Sequence, residues 1–281
     1  MSPRLRGSVP AALLAVLLAP LCPADAERGR GTARAPDARH RALVFSKTTA
    51  FRHTDCIARG GAAIARTAAR RGFSVDATED AGAFTRRRLA RYDVVVFLCT
   101  SGEVLGARRQ RAFRRYVRAG GGFAGIHSAV ATEPGWPWYR GLVGAEYRDH
   151  TGVAGVNAQF QTATIRVEDR GTAATRRLGG RWTREEEWYS FRTDPRAKAH
   201  VLLTVDESTY DPRGYSEPGG SPPMGDHPIA WCRRYGGGRS FYTALGHKGD
   251  YWKEPLLLAH VVGGIEMAAG VTRFDCGEED E

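Results

Sequence analysis

The chain has 281 residues, and its 41 Lys and Arg residues against 31 Asp and Glu residues give a formal net charge of +10 at pH 7. The lysines are only Lys47, Lys198, Lys248 and Lys253, and no dense basic run alternates with aromatic residues, so the charge does not indicate a nucleic-acid partner. No apolar run approaches the roughly 20 residues of a membrane-spanning helix, and we predict no membrane insertion.

The amino terminus has the features of an export signal. Arg4 and Arg6 precede the apolar run Val9–Leu21, and Ala24-Asp25-Ala26 is a small-x-small pattern typical of signal-peptidase cleavage. We therefore predict a signal peptide over residues 1–26 that is cut after Ala26. The mature protein is expected to be secreted or extracytoplasmic.

The remaining chain divides into a leader, a domain and a tail. Residues 27–41 are rich in Arg, Gly, Ala and Pro with little apolar content, which predicts a disordered leader. Residues 42–270 are long enough for one large domain with a substantial core, and they contain no internal repeat. Residues 271–281 form an acidic tail that we expect to be loose.

Four cysteines remain after the predicted cleavage: Cys56, Cys99, Cys232 and Cys276. An exported protein can oxidise them, and four thiols allow three pairings between which the sequence alone does not choose. The pair Cys56–Cys99 is favoured because both residues are expected near the carboxyl ends of neighbouring predicted strands. The absence of C-x-x-C spacing argues against a thiolate zinc site.

The first half of the domain alternates strands and helices. Short continuous apolar runs predict strands that are covered on both faces, and apolar residues three and four positions apart predict the helices between them. The strands are predicted at Ala42–Ser46, Phe73–Ala77, Tyr92–Leu98 and Gly122–Ile126, and the helices at Asp55–Arg71, Phe84–Ala90 and Gly106–Arg118. This repeating βαβ pattern predicts an α/β fold with a doubly wound, mainly parallel sheet.

The second half of the domain is richer in strands. They are predicted at Gln161–Val167, Arg184–Phe191, His200–Asp206, Pro228–Arg233 and Ser240–Leu245, before a closing helix at Pro255–Ala269. The Gly-, Pro- and Ser-rich segment Pro212–Asp226 is expected to be a mobile loop.

The segment Gly120–Ser128 is the most informative stretch of the chain. Its sequence, GGGFAGIHS, is typical of a buried strand that runs into a sharp turn, with His127 at the turn. In α/β enzymes this corner displays a nucleophile at the carboxyl edge of the sheet. Because the glycine run precedes a strand and not a helix, it is not a phosphate-binding fingerprint, and we predict no nucleotide cofactor.

Imidazoles, carboxylates and an arginine follow the predicted strands. They are Arg52, His53, Glu79, His127, His150, Glu187, His227 and His247. In open α/β sheets, ligands bind outside the carboxyl ends of the strands, so we expect several of these side chains to converge. Such a group can bind a metal ion, perform acid–base chemistry, or do both.

Several of these residues also have ordinary structural interpretations. His53 could simply cap the first helix together with Thr54. Glu185 and Glu187 point to the same face by strand alternation, so one of the two could be solvated. His227 precedes a proline and could be a turn residue.

Aromatic residues indicate a carbohydrate ligand. Trp136, Trp138 and Tyr139 lie in the predicted loop after His127, and Trp188 follows Glu187. Flat aromatic faces suit the CH faces of pyranose rings, although core packing is the commoner role of any single Trp or Tyr.

Together these motifs resemble the ThuA-like, or trehalose-utilisation, family. The resemblance rests on the following segments, in this order: FRH at 51–53, TED at 78–80, GGGFAGIHS at 120–128, WPWY at 136–139, EWY at 187–189, DHPIAW at 226–231 and GH at 246–247. It implies a flavodoxin-like fold similar to that of class I glutamine amidotransferases, with His127 in place of the amidotransferase cysteine. It also implies a role in sugar catabolism.

We therefore expect an exported enzyme that acts on a keto-sugar or glycoside by isomerase or lyase chemistry. Its expected catalytic residues are His127, Glu187 and His53, and His53, His127, Glu187 and His247 are the candidate ligands of a divalent metal such as zinc. The expected substrate-binding residues are Arg52, His150, Trp136, Trp138, Tyr139, Trp188 and His227. The expected partner is a small carbohydrate.

Two alternatives remain at this stage. The first is a non-catalytic carbohydrate-binding or scaffold domain, in which the aromatic residues and not the histidines would matter. The second is a hydrolase with Ser128 or Ser101 as nucleophile, which the sequence favours least because neither serine has an obvious base beside it.

Overall fold

A computed structural model of the chain describes residues 38–277. The predicted signal peptide, most of the predicted leader and the last four residues of the tail lie outside this range. The strands are β1 (His40–Phe45), β2 (Phe73–Thr78), β3 (Val94–Leu98), β4 (Gly122–Ile126), β5 (Tyr147–His150), β6 (Phe160–Val167), β7 (Arg181–Glu187), β8 (Tyr189–Phe191), β9 (His200–Val205), β10 (Pro228–Tyr235) and β11 (Gly238–Thr243). The helices are α1 (Gly61–Ala69), α2 (Arg86–Leu89), α3 (Gly106–Arg118), α4 (Pro137–Val143) and α5 (Pro255–Ala269).

Nine strands form one sheet in the order β2-β1-β3-β4-β11-β10-β9-β6-β7, and β5 pairs with β8 in a separate ribbon. The pairs from β2 to β11 are parallel. The pairs from β11 to β7 are antiparallel. We call β2, β1, β3, β4 and β11 the parallel half, and β10, β9, β6, β7 and the ribbon the antiparallel half. The predicted α/β class and the strand-rich second half are confirmed.

Helices cover both faces of the parallel half. Gly122 in β4 faces α5, where a Cβ atom would lie 2.2 Å from the carbonyl oxygen of Ala268, whereas the ring of the next residue, Phe123, packs on Phe113 of α3. Successive strand residues point to opposite faces, so α5 and α3 lie on opposite sides of the sheet. The glycine at 122 therefore permits the close approach of α5.

Three elements differ from the sequence prediction. The helix predicted at Asp55–Arg71 starts as a π-turn, Cys56–Gly60, before α1. The strand predicted at Arg184–Phe191 is two strands, because the chain leaves the main sheet at Trp188 to pair with β5. The predicted loop after His127 contains α4, which begins at Pro137, a residue well suited to the first turn of a helix. Within residues 38–277, no helix is long and apolar enough to cross a membrane.

Two disulfides join distant parts of the domain. The favoured pair Cys56–Cys99 is confirmed, and the second bridge is Cys232–Cys276. Cys276 is buried, so the expectation of a loose tail is wrong for residues 271–277, because the bridge fixes this segment to β10.

Candidate metal and acid–base site

Four side chains converge at the carboxyl edge of the parallel half. His53, His127, Glu187 and His247 each present one donor atom, and the four atoms lie within 4.8 Å of one another. These are the four residues that the sequence analysis put forward as metal ligands, and we call them the His–Glu cluster. His53 follows β1, His127 follows β4 and His247 follows β11, whereas Glu187 ends β7.

His127 occupies the sharp turn predicted after β4. Its φ of +54° lies in the left-handed region, which residues other than glycine rarely adopt, and strain of this kind is typical of functional corners. The Tyr242 hydroxyl donates to the His127 carbonyl oxygen at 2.9 Å and holds the turn. Nδ1 of His127 lies 2.8 Å from the Ala244 carbonyl oxygen, which can only accept, so Nδ1 carries the proton. The lone pair of Nε2 therefore faces the cluster.

His53 is held by the serines that follow β3 and β4. The Ser101 hydroxyl donates to the Phe51 carbonyl oxygen at 2.6 Å, and the Ser128 hydroxyl lies 3.2 Å from Nδ1 of His53. Ser101 therefore holds the backbone of the His53 segment, and Ser128 contacts the His53 ring itself. Burial, reinforced by the neighbouring imidazoles of His127 and His247, lowers the pKa of His53 to about 2, so its ring stays neutral at physiological pH.

Glu187 connects the histidines. Its Oε2 lies 2.8 Å from Nδ1 of His247 and 3.5 Å from Nε2 of His127, and its Oε1 accepts a hydrogen bond from Gln159. Burial alone raises the pKa of Glu187, but the adjacent imidazoles of His127 and His247 outweigh burial and hold this pKa well below its usual range. Glu185, the alternative candidate, is exposed and pairs with Lys248.

The sequence analysis missed Glu186. This fully buried carboxylate accepts from the backbone N–H of Gly246 at 2.9 Å and of His247 at 3.3 Å, and it pairs with Arg184 at 3.2 Å. It therefore fixes the turn that carries His247. Alternation along β7 places Trp182, Arg184 and Glu186 on the buried face. An acidic residue on a buried face needs partners, and this pattern could have identified Glu186 from the sequence.

His150 and Arg52, two of the predicted substrate-binding residues, lie at the same edge of the sheet but have different partners. His150 borders the cluster, with Nε2 3.4 Å from Oε1 of Glu187 and with Nδ1 2.5 Å from the Thr151 carbonyl oxygen. Arg52 is exposed and forms a two-point ion pair with Glu79, at 2.7 and 3.0 Å, which commits its guanidinium to a neighbouring strand end.

The three aromatic residues after His127 pack against other parts of the domain. Trp138 of α4 packs on Tyr235, with ring centroids 5.7 Å apart, and Trp136 packs on Trp138 at 4.9 Å. Tyr139 is fully buried, and its hydroxyl donates to the Ala129 carbonyl oxygen at 2.8 Å. These side chains are occupied because Pro137 begins a helix whose apolar residues pack against the body of the domain.

Trp188 and His227 are both buried, and their polar atoms have partners within the domain. Trp188 is buried, and its indole N–H donates to the Gln161 carbonyl oxygen at 2.8 Å. His227 is buried between Glu207, 2.8 Å from Nδ1, and the carbonyl oxygen of Tyr189, 2.8 Å from Nε2. His227 therefore contacts the backbone of β8 through one ring nitrogen and a buried acidic side chain through the other.

The cluster fits a divalent transition metal. Three of its donor separations fall between 2.8 and 3.5 Å. Zinc bonds of about 2.0 to 2.2 Å in a tetrahedron place their donor atoms roughly 3.4 Å apart, close to these separations. Imidazoles and a carboxylate are ligands that zinc and similar ions accept, and ligating histidines usually have their second nitrogen anchored, as His127 does here.

Comparison with known proteins identifies the family. No curated protein matches the chain. Solved structures of similar fold include ThuA-like proteins from Bacteroides uniformis ATCC 8492 (TM-score 0.67, 21% identity, covering 85% of this chain and 94% of that one) and Parabacteroides merdae ATCC 43184 (TM-score 0.63, 18% identity, 84% and 92%). The sequence model of the ThuA family, described as trehalose utilisation, matches residues 41–268. The chain therefore belongs to the ThuA family, with a glutamine amidotransferase-like fold.

Proposed function

We propose that the protein is a metal-assisted acid–base enzyme that moves a proton on the carbon next to a carbonyl group of a sugar. The observation that carries this proposal is the His–Glu cluster, three imidazoles and one carboxylate with donor atoms within 4.8 Å of one another. Both the fully buried position of His127 and its left-handed backbone support a functional role over ordinary packing.

His53, His127, Glu187 and His247 would hold the metal ion. When bound there, a divalent ion supplies a Lewis acid that polarises the carbonyl oxygen and makes the neighbouring C–H more acidic. The chain prepares these ligands in advance, because Ala244 orients the ring of His127 and Ser128 orients that of His53.

His150 is the residue that moves the proton. Its Nδ1 is committed to the Thr151 carbonyl oxygen, so Nε2, beside Glu187, is the atom that exchanges protons with a ligand. In an isomerisation, Nε2 takes the proton from the carbon next to the carbonyl and returns it to the former carbonyl carbon. The hydroxyl proton moves in the same direction, from the oxygen on that carbon to the former carbonyl oxygen, so the carbonyl and the hydroxyl exchange places and atoms and charge balance.

The proposed sugar substrate and the proposed export of the protein are supported by different observations. The family's description, trehalose utilisation, favours a carbohydrate, and a keto-sugar offers the acidic C–H that this chemistry needs. The signal-like amino terminus and the two disulfides favour an exported protein, because disulfides persist in oxidising compartments.

The first test is metal content. Protein without a His-tag is analysed by mass spectrometry as wild type, His127→Ala and His200→Ala, the last being a partly exposed histidine paired with Asp169. We expect about one metal ion per chain in the wild type and in His200→Ala, and less than a tenth of that in His127→Ala. Equal metal in all three proteins, or none in any, contradicts the metal site.

The second test is the reaction. The wild-type protein is mixed with 3-keto-glucosides in D2O, and NMR follows deuterium entering the position next to the carbonyl. His150→Phe, which keeps a flat ring but has no proton to exchange, should slow this exchange at least a hundredfold while retaining the metal. Metal binding without exchange on any keto-sugar contradicts the enzymatic role and favours a binding module.

A further inference from the structure

Exposed aromatic side chains adjoin the His–Glu cluster on two sides. In the described part of the chain, the exposed large apolar residues are Phe51, Tyr215 and Leu256, with 69%, 47% and 40% exposure. Phe51 lies edge-to-face on His53 with ring centroids 4.7 Å apart, and Tyr215 lies 4.6 Å from His150. Exposed aromatic faces beside buried imidazoles point to contact with a ligand, because such surface is otherwise usually buried.

Tyr215 forms one wall of a groove that leads away from the cluster. The groove has a volume of about 570 Å3, within the usual range of small-molecule sites. It is lined by His150, Gly152, Gln159, Tyr215, Glu217 and Gly219, among others. Because the side chains of His150 and Gln159 also contact Glu187, the groove and the cluster are continuous.

The wall that carries Tyr215 is fixed in place by a buried carboxylate. Asp149 accepts hydrogen bonds from the hydroxyls of Ser216 and Ser221, on either side of the loop. The backbone N–H of Tyr215 donates to the His150 carbonyl oxygen at 3.2 Å, and its hydroxyl lies 3.3 Å from that of Tyr147. The groove is therefore formed before a ligand arrives, which lowers the entropy cost of binding.

We propose that this groove binds the second sugar ring of an O-linked glycoside, with Tyr215 as the stacking face. The first, carbonyl-bearing ring then lies over the His–Glu cluster, so the inference rests on the proposed function. A groove with one aromatic wall, an amide from Gln159 and a carboxylate from Glu217 suits a ring with CH faces and several hydroxyls. It does not suit an anion, because the carboxylate of Glu217 repels negative charge.

The test compares a disaccharide with its own monosaccharide. Trehalose and glucose are titrated into the metal-loaded protein by ligand-observed NMR, using wild type, Tyr215→Ala, Tyr215→Phe and, as an exposed apolar control, Leu256→Ala. Tyr215→Ala should weaken trehalose binding about tenfold and change glucose binding less than twofold. Tyr215→Phe, which keeps the ring, should stay within threefold of wild type for both sugars, as should Leu256→Ala.

Each other outcome overturns the inference. Equal weakening of both sugars by Tyr215→Ala places Tyr215 at the first ring, and no change for either sugar removes it from the site. If the wild type binds neither sugar, the groove does not take a sugar ring. Metal content and deuterium exchange, measured on the same samples, then decide separately whether the proposed function stands.

Discussion

The two halves of the sheet contribute different groups to the site. The parallel half supplies His53, His127 and His247, each from the segment that follows a strand and each at the same edge. The antiparallel half supplies Glu187 from a strand end where the chain changes sheets, His150 from the last position of β5, and Gln159 from the position directly before β6. The imidazoles therefore sit on the regular part of the fold and the carboxylate on the irregular part.

This difference implies a division of roles. Strand-end turns of a buried parallel sheet hold their side chains rigidly, which suits metal ligands that must keep a fixed geometry. The antiparallel half brings the negative charge and the groove, so changes in the groove alter ligand binding without moving the histidines. The following predictions test whether the halves separate in this way.

The largest expected effect comes from the carboxylate of the antiparallel half. Glu187→Gln keeps the side-chain volume but removes the charge that faces His247 and His127. We expect metal occupancy to fall at least tenfold and deuterium exchange on keto-sugars at least a thousandfold, because a neutral amide is a poor metal ligand. Mass spectrometry and NMR measure the two quantities.

Glu185→Gln is the matched control for that prediction. It changes the same residue type two positions earlier on the same strand, where the carboxylate is exposed and pairs with Lys248. Its metal content and activity should stay within twofold of wild type. If both variants behave alike, the charge of Glu187 has no special role.

The next effect concerns the contact between the halves. Glu186→Gln removes the buried charge that holds the backbone of Gly246 and His247 and that faces Arg184. We expect metal affinity to fall by about 10- to 100-fold, as for other residues that orient ligands. Loss of one member of a buried ion pair should also lower the free energy of unfolding by about 3 kcal/mol, measured in urea.

Glu254→Gln is the control. It removes the more exposed partner of Arg184 and should lower the free energy of unfolding by less than about 1 kcal/mol.

The same division decides how much could be predicted from the sequence. In the parallel half, apolar runs such as Tyr92–Leu98 and the GGGFAGIHS segment predicted the strands, the sharp turn and the positions of His53, His127 and His247, because strand ends at one edge must lie close together. The Cys56–Cys99 pair followed from the same reasoning. These features depend on short-range pattern and on a topology with few alternatives.

The antiparallel half was harder to predict. The break at Trp188 and the ribbon of β5 and β8 depend on pairing between segments about 40 residues apart, which no local pattern specifies. The tryptophans of the WPWY segment predict a ligand loop because tryptophans suit sugars, whereas Pro137 starts a helix that packs these rings against other parts of the domain. The Tyr215 wall was missed because its position depends on the buried Asp149.

Acid should destabilise the metal-free protein through the parallel half. Burial lowers the pKa of His53 to about 2, below its unfolded value of about 6.5. As the pH falls below 6.5, His53 therefore binds a proton in the unfolded chain but not in the folded chain. Stability is therefore full above pH 6.5 and falls towards pH 2, and at pH 5 the loss from His53 is about 2 kcal/mol. Chemical denaturation of EDTA-treated protein at pH 7.5 and 5.0 measures it.

His53→Gln isolates this contribution. His260, whose pKa burial lowers to about 4, adds an acid-dependent loss of the same sign in both proteins, so only the His53 part should disappear. The variant should lose about 2 kcal/mol less than wild type between the two pH values. An equal loss in both proteins would show that His53 is solvated when the metal is absent.

The smallest expected effect concerns the loop of the antiparallel half that carries Tyr215. The sequence predicts that Pro212–Asp226 is mobile, but Asp149 fixes its first part and Glu207 accepts from the backbone N–H of Met224 and Gly225 in its second part. Asp149→Asn keeps one acceptor oxygen and loses the charge, which should lower the local opening free energy by about 1 to 2 kcal/mol. Chymotrypsin should then cleave after Tyr215 about tenfold faster, with metal content unchanged. Rapid cleavage of the wild type would mean instead that the loop opens freely, and the groove would form only around its ligand.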